Sequence, residues 1–173
     1  MNNPPIKATS KEFISNPFYL IQSKGADKRY VISLRDKIRI RILLAGFINQ
    51  TKNEIEIKIR DLDNPEKPID YFGVLSKSKL HELMTKHEDV IFHNGYHDLI
   101  LRNPDTGDLI TFDEHGLIFI YTTQDYSEIL KNLKADYKPN EKLIYELNHW
   151  HYCLPEGREK LAEMIKDFKI DKQ

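Results

Sequence analysis

The sequence predicts an α+β fold: a mostly antiparallel β-sheet of hairpins and a meander, with about three helices packed on one face or end. Three observations predict it. Ile38, Ile40 and Ile42 alternate with Arg39 and Arg41, and Ile55, Ile57 and Ile59 alternate with Glu56 and Lys58, the period of two that belongs to half-buried strands. Short apolar runs between 90 and 122 are separated by the turn signals Pro104-Asp105-Thr106-Gly107-Asp108 and Asp113-Glu114-His115-Gly116. Two other stretches, Leu80, Leu83, Met84 and His87, then Leu161, Met164, Ile165 and Phe168, repeat at helical spacing instead.

Taken in order, residues 1–10 are polar, carry Pro4 and Pro5 and are expected to fray; Ser10 then caps a single turn through Phe13 and Ile14 that Pro17 ends. Residues 18–22 and 29–34 form a hairpin around Lys24-Gly25-Ala26-Asp27. The runs 38–42 and 55–59 are expected to pair antiparallel, with the polar 49–53 turning the chain. After the loop 64–68 comes a short strand, 69–75, and a helix capped by Ser76 or Ser78. Strands follow at 90–93, 97–102, 109–112 and 117–122, then a short helix at 125–133 with Ile129, Leu130 and Leu133 inward. Residues 143–154 fit two patterns: alternation and aromatics favour a strand, while Leu143, Leu147 and Trp150 also share a helical face. Pro155 opens the last helix. With no internal repeat or mid-chain linker, 1–173 reads as one domain.

A chain of 173 residues is long enough to bury about 70% of the surface its unfolded form exposes, so one core needs no staples. Hydrophobic content of 40% beside 31% charged residues places it among globular rather than disordered proteins. A net charge of -1 gives no overall field toward nucleic acid or an anionic membrane. No apolar run approaches the roughly 20 residues that span a bilayer. A single cysteine, Cys153, rules out an intrachain disulfide, and 1–10 lacks the pattern of a signal peptide, so a cytoplasmic location is expected.

Ligand-type side chains crowd at His149, His151 and Cys153, every second position of one run. On a strand, neighbours on one face stand roughly 6.6 Å apart and can meet on one ion, whereas the outer pair, at roughly 13 Å, cannot. The run therefore supplies at most two ligands, and a site must be completed elsewhere, His93 and His97 being the candidates. Asn94-Gly95 between those two breaks the helix on which an i, i+4 pair would converge. The plainer expectation keeps Trp150 and Tyr152 in the core, the histidines as ordinary strand members and Cys153 as an inert, buried thiol.

Between 103 and 128 the acidic residues Asp105, Asp108, Asp113, Glu114, Asp125 and Glu128 occur with no lysine or arginine among them. Presented on turns, they would form an acidic rim for a basic partner; equally they are solvated hairpin tips. Arg39 and Arg41 would share one strand face, either for a nucleic acid, with Arg29, or cross-paired with Glu54, Glu56 and Asp61. Glycine-rich phosphate loops, Gly-x-Ser-x-Gly elbows and CxxC pairs are absent.

The run Phe112-Asp113-Glu114-His115-Gly116-Leu117-Ile118-Phe119-Ile120-Tyr121, preceded by His97-Asp98-Leu99-Ile100-Leu101-Arg102, resembles a type of small uncharacterised bacterial α+β protein. Some such proteins are similar to the immunity proteins that accompany polymorphic toxins. The resemblance spans roughly residues 90–135 and has no catalytic motif. It implies a cytoplasmic, non-enzymatic protein that blocks a toxin domain, although many nuclease inhibitors of this kind are strongly acidic and this chain is near neutral. The leading expectation is thus a protein-binding module, without cofactor, that presents Asp105, Asp108, Asp113, Glu114 and His115 to a partner. Its competitor is a zinc-binding protein or metal-dependent hydrolase using His149, His151 and either His93 or His97, with Glu114 as base. Nucleic-acid binding through Arg29, Arg39 and Arg41 comes third.

Overall fold

Turn chemistry and alternation bring several strands that are successive in sequence side by side in space. The computed structural model describes residues 6–11, 16–24, 27–52 and 54–172. In chain order these form β1 (Ala8–Thr9), β2 (Phe18–Lys24), β3 (Asp27–Ser33), α1 (Lys37–Gln50), β4 (Glu54–Asp61), β5 (Ile69–Ser76), α2 (Lys77–Lys86) and α3 (Glu88–His93). There follow β6 (His97–Arg102), β7 (Leu109–Phe112), β8 (Ile118–Thr122), α4 (Ser127–Asn132), β9 (Asp136–Tyr137), a 3-10 turn (Ile144–Glu146), β10 (Trp150–His151), α5 (Gly157–Asp167) and β11 (Asp171–Lys172). Among the described residues, nine strands make one sheet in the order β11-β5-β4-β6-β7-β8-β3-β2-β9, and β1 pairs with β10 in a separate ribbon. Every step in the large sheet is antiparallel except β2 to β9.

Cross-strand partners share a face, so Ile57, Leu101, Ile110, Ile120 and Tyr30, paired in sequence across five strands, line one side of the sheet. All five are buried beneath the helices, which contribute Leu43, Leu44 and Phe47 from α1, Leu83 from α2, Phe92 from α3 and Met164 from α5. Each such side chain contributes about 1.5–3 kcal/mol by leaving water. Val31 lies between Tyr30 and Ile32 and so points the other way. There it joins a second cluster with Ala8, Phe18, Leu20, Leu117, Leu143 and Ile144. That cluster lays β1 and the segment before β10 over the far face, beside the β7–β8 turn.

The class is α+β with a mostly antiparallel sheet, as predicted, and several elements differ. Residues 38–42 are helix, not strand, and 55–59 pair instead with β5 and β6. Ile40, Leu43, Leu44, Phe47 and Ile48 are the buried stripe of α1, while Ile38 and Ile42 are 66% and 53% exposed. The alternation is the local appearance of a 3.6-residue period, and Asp36, accepting from the Arg39 N–H at 2.8 Å, caps the helix. Residues 90–93 form α3, since a short apolar run fits either element and Glu88 and Asp89 favour a helix start. Within 143–154 only Trp150–His151 is strand; Trp150 is 50% exposed and Cys153 is exposed rather than buried. Residues 6–10, expected to fray, are instead packed, with Lys7 and Ala8 fully buried. The turn expected through Phe13 and Ile14, and Gly25 and Ala26 of the β2–β3 loop, lie outside the described residues. Among the described residues no helix is long and apolar enough to cross a membrane.

Candidate metal centre

The β7–β8 turn is built by its own sequence. Asp113 Oδ1 accepts from the N–H groups of His115 (3.0 Å) and Leu117 (2.7 Å), and Gly116 takes the positive φ of 76° that closes the loop. This turn aims His115 at β10. His151 on β10 and His149 just before that strand meet it, and the three rings form a triangle with centroids 4.9, 4.9 and 5.3 Å apart. One nitrogen from each ring lies within 4.8 Å of the other two.

The orientation of the rings decides what they can do. Nδ1 of His149 lies 2.9 Å from the Leu147 carbonyl, Nδ1 of His151 3.2 Å from the Glu114 carbonyl, and Nδ1 of His115 3.1 Å from Asp113 Oδ2. A carbonyl or carboxylate oxygen only accepts, so each Nδ1 carries the hydrogen and the neutral ring keeps its lone pair on Nε2. This is the arrangement that metal-ligating histidines use, the second nitrogen fixing tautomer and ring angle. A ring centroid lies about 1.1–1.2 Å behind its coordinating nitrogen, so three histidines on a tetrahedral zinc at about 2.0–2.1 Å stand with centroids about 5.2 Å apart. The triangle already has that size.

Charge around the rings is uneven. Burial works against a proton on His115, yet the hydrogen bond to Asp113 and the charges of Asp113, Glu114 and Asp98 outweigh it and raise its pKa. His151 is shifted down, chiefly by burial, against the pull of Glu114. Glu114 is raised by burial and approaches His115 on its Nδ1 edge, Oε1 to Nδ1 3.9 Å. It thus stands behind the His115 ring, as Asp113 does.

The other predicted residues fall elsewhere. His93 ends α3, and His97 opens β6, fully buried, its ring nitrogens making no hydrogen bond among the described residues; neither belongs to the triangle. Burial, with Lys7 nearby, holds His97 well below its usual pKa. Of the acidic turns, Asp105 accepts from the Lys52 N–H at 2.8 Å, and Asp108 is buried and accepts from Gln124 Nε2 at 3.1 Å. Asp113 is committed to its own turn, and Glu114 and His115 sit at the triangle. Arg39 and Arg41 lie on α1, two positions and so about 200° apart around its axis. Arg41 pairs with Glu88 at 2.6 Å, so the expected double-arginine strand face does not form. Arg29 stays on β3, its guanidinium 5.0 Å from the Phe119 ring centroid.

Two residues that the sequence reading did not connect to the histidines complete the surroundings. Lys7 sends its ammonium to the carbonyls of His97 (2.7 Å) and Phe112 (3.4 Å), and burial lowers its pKa to about 8. Arg35 Nη1 donates to the His115 carbonyl at 3.2 Å. A buried lysine or arginine leaves no mark in a single sequence. No protein family, curated protein or solved structure matches this chain, so the chemistry of the triangle is the ground for a functional reading.

Proposed function

We propose that this protein binds a transition-metal dication of the zinc class through Nε2 of His115, His149 and His151. The observation that carries the proposal is that one ring nitrogen from each of the three histidines lies within 4.8 Å of the other two, while each Nδ1 faces an acceptor-only oxygen that leaves the Nε2 lone pair for a metal. Imidazole nitrogens suit zinc, copper, nickel or iron, whereas magnesium and calcium require oxygen ligands. Three protein nitrogens leave one tetrahedral position for water, the arrangement of reactive rather than purely structural zinc sites. Metal-assisted hydrolysis is therefore the chemistry to look for.

Elemental analysis of the purified, untagged protein tests this beside His149→Ala/His151→Ala and His115→Ala. Close to one metal per chain, lost in both variants, is the expected result. A folded, metal-free wild type after dialysis against zinc removes the proposal. The second reading, a module that blocks a partner protein such as a toxin domain, draws support from two exposed aromatics, Tyr145 edge-on to His115 and Trp150 on β10. Exposed Trp and Tyr are enriched at interfaces. In that case Glu114→Lys abolishes capture of the partner, whatever the metal content.

A further inference from the structure

The three histidines come from two pieces of chain, and one short segment touches both. On one side of it, Ala8 pairs with His151 and Thr9 with Trp150. The Lys7 carbonyl accepts from the Tyr152 N–H at 2.6 Å, and the Ser10 hydroxyl donates to the Asn148 carbonyl at 2.6 Å. On the other side, the Ile6 carbonyl lies against Gly116 and accepts from Arg35 Nη1 at 3.4 Å, the same nitrogen that donates to the His115 carbonyl. A ribbon of two two-residue strands has no independent stability. β10 is therefore held through β1, together with the Gly95 N–H that donates to the Tyr152 carbonyl at 3.0 Å and the Glu114 carbonyl beside His151 Nδ1.

Lys7 in turn holds β1. Its ammonium crosses to the sheet, hydrogen-bonds the carbonyls of His97 and Phe112 at neighbouring ends of β6 and β7, and lies 4.4 Å from the Phe112 ring centroid. The charges of Asp98, Asp113 and Glu114 are felt there, but among the described residues no carboxylate reaches ion-pair distance. The backbone at Lys7 is left-handed, φ 56°, with the Ala8 N–H closing onto the Ile6 carbonyl at 2.6 Å. A buried charge without a counter-ion and a left-handed lysine are both costly, and such departures persist where the surroundings over-determine them for a purpose.

We propose that Lys7 is a positioning residue of the metal centre, pinning residues 6–10 beneath β10 so that His149 and His151 face His115. The inference rests on the metal reading above. Coupling between two sites is reciprocal, so a docked segment tightens metal binding and bound metal tightens the segment. Losses on the scale of a broken support to a ligand, about 10–100-fold in metal affinity, follow.

The test uses the full chain and zinc. Hydrogen exchange followed by mass spectrometry, with chelator and then with one equivalent of zinc, should show slower exchange in 6–10 and 148–152 as well as in 113–117 when zinc is bound. Competition against a chromophoric chelator should show Lys7→Met binding zinc about 10–100-fold more weakly. Should Lys7→Met not fold, Ser10→Ala, which removes only the hydroxyl next to His149, carries the test with a severalfold loss. Zinc bound while exchange in 6–10 stays unchanged, or zinc bound equally by the folded variants, overturns the positioning role and leaves the metal centre standing. A wild type that takes up no zinc overturns the metal reading itself.

Discussion

On the helix-facing side of the sheet, Ile57, Leu101, Ile110 and Ile120 sit on neighbouring strands, apolar and buried, under helices whose stripes match them. At the end where β1 meets β10, the interior holds an ammonium, the His97 ring, without a hydrogen bond among the described residues, and three half-buried imidazoles, with left-handed backbone at Lys7 and Arg35. The first region follows the local rules of strand and helix throughout. The second breaks several within a few residues. Such departures concentrate at functional sites, where geometry is kept at a cost in stability. The comparison teaches that the sheet supplies the stability and the β1–β10 end spends part of it on placing three nitrogens.

Leu101→Ala should separate the two regions most strongly. It should destabilise the fold by about 2–5 kcal/mol in denaturant unfolding, while the folded fraction keeps its full metal content. Next is pH. Lys7 holds its proton to about 8 in the fold and to 10.5 when unfolded, so between those values the unfolded chain binds more protons and stability rises with pH. The rise is at most about 3 kcal/mol, and Lys7→Met should lack it when the two pH profiles of unfolding are compared. An equal rise in both proteins would place the titrating group elsewhere.

Smaller changes sharpen the contrast. At Gly95 a Cβ would collide with the Lys7 carbonyl and press on His151, so Gly95→Ala should cost about 1–3 kcal/mol in thermal unfolding and weaken metal binding as well. Gly46, on α1 with nothing within 4 Å of an added Cβ, should do the reverse: Gly46→Ala gains roughly 0.5–1 kcal/mol and leaves the metal alone. Asp113→Asn removes the carboxylate behind His115 and should lower metal affinity about 10–100-fold, roughly 1.4–2.7 kcal/mol, in chelator competition.

The same division governs what a reader of the sequence can see. Turn residues and alternation carry information within a few positions, so the β2–β3 hairpin, β6, β7, β8 and the capped α2 are legible. The Ile38 to Ile42 alternation misleads because a window of five residues cannot separate a period of two from 3.6; the Asp36 cap and the apolar residues out to Ile48 carry the better signal. His149 and His151 stand out by their spacing and do come together. Their third partner does not stand out, because the approach of His115 is made by the sheet, β1 and the turn together rather than by neighbours in sequence. The turn Asp113-Glu114-His115-Gly116 is recognisable as a turn, and reading it as a surface for a partner hides that its side chains also point at β10. Lys7, in a polar stretch after two prolines, has the local character of a fraying end; only long-range packing makes it a buried pin.

The most direct test of the account is a long-range proton–nitrogen NMR spectrum of the histidine rings in uniformly nitrogen-15 labelled protein, titrated with zinc to one equivalent at neutral pH. Of the seven histidines, His115, His149 and His151 should show protonated Nδ1 throughout, and their Nε2 resonances alone should move to metal-bound positions. Zinc bound through any Nδ1 of these three, or a saturating titration that leaves their Nε2 resonances unshifted, would contradict it.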